Sequence, residues 1–226
     1  MSESRVTVES RAGACGLRER KKRLTRDGLV RAALELFIAQ GYERTTVDEI
    51  ADAVEVSQRT FFRYFASKEE VAFAIQSQVE SHFQTALSRR PPEEGPFEAM
   101  RNAVLEGWDT LEEVIGETVP VELHMRSYLV IESTPALIAA HLRRSVELEE
   151  SIARLVAERE GLDVDRDPRP RATVAAVSGM MRVAGRLWSL GGDWSPRTLR
   201  DLTATYLDSL RPALAEDWRT PRRAGG

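Results

Sequence analysis

Residues 58–64 read QRTFFRY and combine amide, guanidinium, hydroxyl and aromatic side chains without a carboxylate. Glutamine can form two hydrogen bonds with adenine, arginine can do the same with guanine, and threonine or phenylalanine can contact the methyl group of thymine. Because the anionic groove of DNA repels carboxylates, this composition favours a helix that enters the major groove. The side chains predicted on the outer face of this helix are Gln58, Arg59, Thr60, Phe62, Arg63 and Tyr64.

The flanking sequence contains signals that would hold such a helix in place. Thr46 can cap a preceding helix, and Glu49 three residues later can complete a capping box. Ser57 can begin the helix of residues 58–64, and Ser67 can begin the next one. Two short helices joined by a tight turn form a helix-turn-helix. The side chains predicted to pack between its helices are Ile50, Ala51, Val54, Val56, Phe61 and Phe65.

A basic segment precedes this region. Residues 18–26, RERKKRLTR, carry six positive charges and one negative charge, whereas the whole chain has a formal net charge of -4. Local charge matters more than the total, because physiological salt screens charges beyond about 8 Å. Taken alone, the segment would be solvated, and residues 1–24 are predicted to form a disordered arm. Beside a helix-turn-helix, the same arm is predicted to lie along phosphates or in a minor groove. The residues predicted to make these contacts are Arg20, Lys21, Lys22 and Arg23.

The composition is typical of a globular protein and argues against several kinds of site. Of the 226 residues, 42% are hydrophobic and 30% are charged, which suits a core that needs no disulfide or metal. Cys15 is the single cysteine and the three histidines are scattered, so we predict no disulfide, metal or cofactor. No apolar run approaches ~18 residues. Residues 1–25 lack a signal-peptide core, so the chain is expected to be cytoplasmic with no membrane partner.

The hydrophobic pattern predicts an all-α fold, because it is helical beyond residue 26 and no stretch reads as a strand. A first helix is predicted over Asp27–Gln40, with Gly41 as its left-handed C-terminal residue. The helix-turn-helix domain is predicted over residues 25–70. A helical ligand-binding and dimerisation domain is predicted over residues 71–218, with a frayed tail at 219–226.

The segment Arg89–Pro96, RRPPEEGP, interrupts the helical pattern most strongly. Proline and glycine break helices, so this segment is a second predicted domain boundary, after the one at residue 70. The helices predicted on its two sides are about Lys68–Ser88, Phe97–Ile115, Pro135–Glu160, Arg171–Leu190 and Pro196–Leu214.

The run AALELFIAQGYERTTVDEIADAVEVSQRTFFRYFASKEEV closely resembles the DNA-binding domain of the TetR family of bacterial transcriptional regulators. The resemblance implies an all-helical homodimer with three N-terminal helices on DNA and a divergent C-terminal ligand domain. It also implies phosphate contacts from Thr46, Tyr64 and Lys68. Many members have glycine in the turn where this chain has Glu55, so the turn either avoids a left-handed residue or tolerates roughly 1–2 kcal/mol of strain.

The phrases RTFFRYF and WSLGGDW, with PALIAAHLRRSVELEESIARLVAER between them, look like the branch whose C-terminal domain binds acyl-CoA-like ligands. The resemblance implies an acyl-CoA or another long apolar ligand between the helices of each subunit. For each candidate lining residue, plain core packing remains the alternative. The candidates are Trp108, Leu111, His124, Met125, Tyr128, Leu142, Met181 and Trp188.

The last two helices are predicted to form a dimer interface, since each carries an apolar stripe at helical spacing. Burial within one subunit is the alternative. The residues predicted at the interface are Val174, Val177, Met181, Trp188, Leu199, Leu202, Tyr206 and Leu210.

The resulting hypothesis is a homodimeric transcriptional regulator that binds a palindromic double-stranded DNA operator. Repression released by a small apolar or acyl-type effector, such as an acyl-CoA-like compound, is the behaviour that the family resemblance implies. An architectural DNA-binding protein without an effector is one alternative. An all-helical enzyme acting on acyl compounds is another, but we find no nucleophile–base pair, metal-ligand set or phosphate loop in the sequence.

Overall fold

The computed structural model describes residues 3–214, and the side chains of residues 18–211. Every element in this part of the chain is an α-helix, as the sequence predicts. The chain divides into two compact units between Ala74 and Ile75. The predicted tail at 219–226 lies outside the described residues.

The first unit contains four helices. They are α1 (Glu3–Gln40), α2 (Val47–Asp52), α3 (Gln58–Tyr64) and α4 (Lys68–Ala72).

Helix α1 begins at Glu3 rather than near Asp27, so the predicted disordered arm over residues 1–24 is helical from Glu3 onward. The segment between Glu3 and Gln40 contains no proline. Leu, Arg, Lys, Glu and Ala, which are frequent in it, are among the strongest helix formers. No strong breaker therefore separates the basic segment from the predicted helix. Gly41 ends α1 with a φ of 89°, in the left-handed region expected for a residue after a helix.

The core of the first unit joins α1 to the helix-turn-helix. Leu29, Leu34, Ile50 and Phe61 are buried there, together with Phe65. Val54 and Val56 of the predicted inner set are half-buried. The Arg26 guanidinium lies 5.2 Å from the centroid of the Phe65 ring, which adds a cation–π contact at the edge of this core.

Up to residue 214, the second unit contains seven helices. They are α5 (Ala74–Ser88), α6 (Pro96–Asp109), α7 (Leu111–Ile115), α8 (Val121–Ser133), α9 (Pro135–Glu160), α10 (Arg169–Gly191) and α11 (Pro196–Leu214). Two predicted helices are interrupted in the structure. Phe73 separates α4 from α5, and Thr110 separates α6 from α7. At the second break the Thr110 hydroxyl donates to the carbonyl of Glu106 at 2.8 Å, which helps to close the last turn of α6.

The segment Arg89–Pro96 lies within the second unit, so the domain boundary predicted there is wrong. Arg159 of α9 explains this correction. Its guanidinium donates to the carbonyl oxygens of Arg90 at 2.7 Å and Glu94 at 2.8 Å, and also to that of Pro91. One arginine can supply several donors in a fixed fork, so the loop is tied to a helix far along the chain.

The core of the second unit is centred on α10, which packs against α9, α11 and α6. Its cluster of buried side chains includes Leu87, Phe97, Val156, Val177 and Leu207. These residues come from α5, α6, α9, α10 and α11, so burial of apolar surface holds the unit together across long sequence separations.

Candidate DNA interface and ligand cavity

Local hydrogen bonds position the helix-turn-helix as predicted. The Thr46 hydroxyl accepts from the backbone N–H of Glu49 at 3.2 Å, and the Glu49 carboxylate accepts from the backbone N–H of Thr46 at 2.8 Å. This is the complete capping box. Ser57 and Ser67 cap α3 and α4, each accepting from a backbone N–H three residues later. The contacts of the capping box hold the pKa of the Glu49 carboxyl below its usual range, and the backbone N–H of Thr46 contributes most to this shift.

The turn between α2 and α3 contains a residue in the left-handed conformation that is not a glycine. Glu55 has a φ of 55°, so the turn contains a left-handed residue and tolerates the strain, which is one of the two alternatives that the sequence left open. A side chain in this conformation costs roughly 1–2 kcal/mol. The turn is held by hydrogen bonds from the amides of Val54 and Val56 to the carbonyl of Ala51, at 3.2 and 3.0 Å.

The outer face of α3 presents most of the predicted reading residues to solvent. Gln58, Arg59 and Arg63 are exposed, and Phe62 keeps 51% of its surface accessible. A large aromatic side chain exposed among polar groups is available for contact with a thymine methyl or a sugar. Phe62 packs against the buried ring of Phe61, whose centroid is 5.4 Å away in an edge-to-face arrangement.

The remaining predicted residues of α3 have partners within the unit. The Thr60 hydroxyl lies 3.0 Å from that of Ser57, so it belongs to the helix cap. The Arg63 guanidinium lies 5.1 Å from the centroid of the Tyr64 ring. It also donates to the Tyr64 hydroxyl at 3.4 Å, and this pairing arranges both groups before any contact with DNA.

Lys68 has a structural role that its sequence position does not reveal. Its Nζ donates to the carbonyl oxygens of Tyr42 and Thr45 at 2.7 and 2.8 Å, and lies 4.2 Å from the centroid of the Tyr42 ring. The ammonium therefore ties the start of α4 to the loop between α1 and α2. Its predicted contact with a phosphate stays a prediction.

The basic residues on α1 lie at the surface of the first unit. Arg20, Lys21, Lys22 and Arg23 are exposed on the helix surface. In a helix these side chains occupy fixed positions, whereas a disordered arm would let them adapt to the backbone of DNA. Their predicted contact with phosphates stays a prediction.

A cavity of about 210 Å³ lies in the second unit, between side chains of α5, α6, α8, α9, α10 and α11. Four of the predicted ligand residues line it: Trp108, His124, Tyr128 and Met181. The other predicted ligand residues lie elsewhere. Leu111, Met125 and Trp188 are buried in the core without lining the cavity, and Leu142 is 49% exposed on α9. For these residues, packing or surface exposure describes the structure better than ligand contact.

The polar part of the lining comes mainly from residues that the sequence analysis missed. Gln76 and Glu80 on α5 face His141 and Glu149 on α9 and Arg182 on α10. The Gln76 amide nitrogen lies 3.0 Å from His141 Nδ1, and Arg182 donates to the Glu149 carboxylate at 2.6 Å. A hydrophobic stripe with polar residues on its flank looks like an ordinary amphipathic helix, so periodicity alone could not identify these side chains.

Burial sets the protonation of several cavity groups. Desolvation lowers the pKa of His124 to about 4, so this imidazole is neutral near pH 7. Its Nδ1 is buried and has no hydrogen-bond partner in the described part of the chain. Desolvation raises the pKa of Tyr128 and that of Glu80, with the Arg144 guanidinium opposing the shift of Glu80.

Two residues of the cavity lining lie at a close approach between α8 and α10. A Cβ atom added to Gly185 would lie 2.8 Å from the Tyr128 hydroxyl. The Tyr128 ring in turn packs edge-on against Trp188, with 5.7 Å between the ring centroids. Glycine at position 185 therefore leaves the space that the Tyr128 hydroxyl occupies.

Comparisons with known proteins identify the family. The profile of the bacterial regulatory proteins of the tetR family matches residues 29–75, and that of the MftR C-terminal domain matches residues 94–215. The HTH-type transcriptional regulator TcmR of Streptomyces glaucescens is 50% identical over 206 residues, which cover 91% of each protein. The chain belongs to the TetR family.

Other relatives of this TetR-family protein agree. The putative mycofactocin biosynthesis transcriptional regulator MftR of Mycobacterium tuberculosis is 33% identical over 205 residues, covering 91% of this chain and 92% of the relative. The solved SmeT–triclosan complex shares the fold with a TM-score of 0.55 at 20% identity, covering 90% of this chain and 98% of that one. The protein is thus a DNA-binding transcriptional regulator and not an enzyme, as predicted.

Within the TetR-family protein, most of the predicted dimer residues have another role. Val174, Val177, Trp188 and Leu199 are buried in the core of their own chain, and Met181 lines the cavity. The prediction that they form the interface is wrong, because their stripe faces inward. Leu202, Tyr206 and Leu210 of α11 are half-buried and remain candidates.

The opposite face of α10 carries the apolar residues that the sequence analysis missed. Val183, Leu187 and Leu190 are exposed at positions that fall on one side of the helix. We call these three residues the outer α10 stripe. The signal was present in the sequence, but α10 has apolar residues on two faces and the pattern does not tell which one is inside.

Two further findings concern sites and spans. Within residues 18–211, no group of three or more His, Cys, Asp or Glu side chains is arranged to hold a metal ion. Across the helices that the structure describes, none is both long and apolar enough to span a membrane.

Proposed function

We propose that this TetR-family protein is a homodimeric repressor that releases a palindromic operator when a small apolar effector enters the cavity of the second unit. The observation that carries the DNA-binding part is the exposed, carboxylate-free face of α3. Gln58 and Arg59 would read base edges, Phe62 would contact a thymine methyl group, and Arg63 with Tyr64 would meet the backbone.

Phosphate contacts would supply most of the affinity. Thr46 and the exposed basic residues of α1 are the proposed contacts, with Arg20, Lys21, Lys22 and Arg23 adding positive charge. Each neutralised phosphate releases counterions, so the logarithm of the binding constant would fall linearly with the logarithm of the salt concentration. This dependence gives a direct measure of how many cations contact DNA.

Dimerisation would occur through the outer α10 stripe together with Leu202 and Tyr206 of α11. Exposed apolar residues on neighbouring helices can pair with the same residues of a second copy around a two-fold axis. A dimer presents two copies of α3, so the operator would contain two half-sites about one helical turn or more apart.

Release would begin at α5, which carries Gln76, Glu80 and Phe83 into the cavity lining. Helix α5 begins at Ala74, which is the last residue of the DNA-binding unit in the chain. A ligand that contacts these side chains would therefore act on the helix that connects to the DNA-binding unit in the chain. To shift the operator affinity five- to 150-fold, the ligand must favour one state by about 1–3 kcal/mol.

Of the two predicted effector classes, the cavity favours a small apolar compound over an acyl-CoA. The triclosan complex of SmeT supports a small-molecule site in this fold. An acyl-CoA would place its nucleotide phosphates against a lining whose arginine, Arg182, is already paired with Glu149. The cavity also favours an effector-responsive regulator over an architectural protein, because a protein without an effector needs no such space.

The test is fluorescence anisotropy of the purified protein on its own upstream DNA at several salt concentrations. We expect tight, salt-sensitive binding that a scrambled DNA of equal length does not reproduce. Palmitoyl-CoA and triclosan would be added in parallel to test the effector. Equal affinity for the natural and scrambled DNA, after removal of copurified ligand and across neighbouring promoters, would refute the operator-binding proposal.

A further inference from the structure

Lys68 differs from the other two lysines of the chain in how its ammonium group is used. Lys21 and Lys22 are exposed on α1, whereas Lys68 is half-buried at the start of α4. Its Nζ donates to the backbone carbonyl oxygens of Tyr42 and Thr45, at 2.7 and 2.8 Å. The same nitrogen lies 4.2 Å from the centroid of the Tyr42 ring, which is a cation–π distance. An ammonium has three N–H donors, so at most one of them remains for a phosphate.

The loop that receives these hydrogen bonds is a tight turn between α1 and α2. The Thr45 amide donates to the Tyr42 carbonyl at 3.3 Å, and the Thr45 hydroxyl donates to the Gly41 carbonyl at 2.9 Å. Thr45 is buried, so its own carbonyl needs a partner within the protein. The ammonium of Lys68 is that partner, and its positive charge strengthens the hydrogen bonds to both carbonyl oxygens.

The bond to Thr45 also fixes the residue that follows it. The carbonyl of Thr45 and the backbone N–H of Thr46 belong to one planar peptide group. Lys68 holds the oxygen of this group at 2.8 Å, and the Glu49 carboxylate accepts from its N–H at 2.8 Å. With both polar ends held, the peptide plane is fixed, and so is the direction in which the exposed Thr46 side chain leaves the backbone. Lys68 thus acts on Thr46 through the backbone.

We propose that Lys68 is a positioning residue for operator binding, which orients the Thr46 hydroxyl towards a phosphate and contributes little charge to DNA itself. The direct phosphate contact that the family resemblance implies for Lys68 is thereby replaced by an indirect one. This inference rests on the proposed function, because it assigns the role of one residue in the proposed contact with DNA. The positive charge that meets the phosphates then comes from the exposed basic residues of α1.

The first test is a double-mutant cycle of Lys68→Met, Thr46→Ala and the variant with both changes, measured by fluorescence anisotropy on the upstream DNA. We expect Lys68→Met to weaken binding roughly tenfold, and by less than roughly threefold when Thr46 is already alanine, because coupled residues are not additive. The slope of the logarithm of the binding constant against the logarithm of the salt concentration should stay the same, since Thr46 is uncharged.

Lys22→Met is the matched control, because it removes an exposed lysine of the same unit. A lysine that contacts a phosphate displaces counterions, so its loss should reduce the slope by about 0.9 for each contact, or about 1.8 for the two subunits of a dimer. Thermal unfolding of each variant gives its folded fraction, by which the measured affinities are corrected.

Three results would overturn the proposal. A slope that falls in Lys68→Met as it does in Lys22→Met would show that Lys68 contacts a phosphate directly. Equal losses from Lys68→Met with and without the Thr46 hydroxyl would show that the two residues act independently. A lower melting temperature with unchanged operator affinity would show that Lys68 serves stability alone.

A second measurement uses the unaltered protein and so does not depend on the folding of a variant. Amine-reactive labelling followed by mass spectrometry resolves the three lysines, with and without the upstream DNA. Lys21 and Lys22 are expected to react quickly and to be protected by DNA. Lys68 is expected to react slowly in both cases, because its ammonium is hydrogen-bonded within the protein. Protection of Lys68 by DNA to the same degree as Lys22 would contradict the positioning role.

The outcomes also separate this inference from the proposed function. If the parent protein binds natural and scrambled DNA equally, operator binding fails and the role of Lys68 in it fails as well. If the parent prefers the natural DNA while Lys68→Met gives any of the three contrary results, operator binding stands and only the role of Lys68 is wrong.

Discussion

The two units of this protein differ in how far apart in the sequence their cooperating residues lie. In the first unit, Thr46 and Ser57 place their helices through hydrogen bonds to residues only three positions away. In the second unit, the cavity brings together Gln76 and Thr203, more than half the chain apart. The DNA-binding unit thus depends on local chemistry, whereas the cavity depends on the packing of six helices.

The largest effect is expected from Leu187→Glu, which would place a charge in the outer α10 stripe. If this stripe forms the dimer, the variant becomes monomeric and operator affinity falls by roughly 10²–10⁴, because both half-sites are no longer bound together. Analytical ultracentrifugation and anisotropy measure the two effects. Leu142→Glu is the matched control, since Leu142 is an exposed leucine on α9. A dimeric Leu187→Glu protein would show that the interface lies elsewhere.

A smaller effect is expected from Arg59→Ala on the reading face. Specific binding should weaken by about 1–3 kcal/mol, with relaxed base preference at one position in each half-site. Arg59→Lys is the control, because lysine keeps the charge and loses the two-pronged donor arrangement. Binding to a panel of operators with single base changes separates the two variants. If Arg59→Ala retains the base preference of the parent, Arg59 contacts no base.

The pH dependence of stability tests the buried histidine of the second unit. The pKa of His124 falls to about 4 on folding. An unfolded histidine has a pKa of about 6.5, so below that pH the unfolded state takes up a proton that the folded state does not. Stability is therefore lost as pH falls from about 6.5 towards 4, by about 1 kcal/mol at pH 5.5 from this residue.

His124→Phe should remove that contribution, giving a shallower decline in the free energy of unfolding measured with urea. The comparison of variant with parent isolates the residue, because all other titrating groups are shared. Parallel curves for the two proteins between pH 7 and 5 would mean that the imidazole is protonated in the folded state.

The smallest effect is expected from Glu55→Gly in the turn of the first unit. Glycine relieves the left-handed strain, and part of that gain is offset by its greater freedom in the unfolded chain. We expect a net stabilisation of about 1 kcal/mol, measured by thermal unfolding. Glu55→Ala should show little gain, since alanine meets the same steric penalty. A Glu55→Gly protein less stable than the parent would indicate that the Glu55 side chain makes a favourable contact.

The difference between the units also explains which predictions succeeded. The caps at Thr46, Ser57 and Ser67 and the glycine after α1 were predictable, because each signal lies within a few residues of its effect. Which face of α10 is buried could not be predicted, since the helix is apolar on two sides. Lys68 and Arg159 show the same limit, as their acceptors lie 26 and 69 residues away, at Tyr42 and Arg90.

At Arg89–Pro96 the sequence predicts the break in the helix correctly, but the domain boundary inferred from that break is wrong. Proline and glycine do end the helix there, but a helix break does not separate domains when a distant side chain fixes the loop. Conversely, the division between Ala74 and Ile75 carries no proline or glycine, so composition does not reveal it. The boundary predicted nearby, at residue 70, follows the extent of the family resemblance instead.

Gly185 gives the ligand site a simple route for evolutionary change. The atom that a larger residue would meet first is the Tyr128 hydroxyl, at the tip of a side chain and not in the backbone. A single substitution there could reshape the chamber by pushing one phenol aside, leaving the helix framework in place. Related chains could thus differ in the shape of this cavity while keeping the same architecture and the same DNA-binding unit.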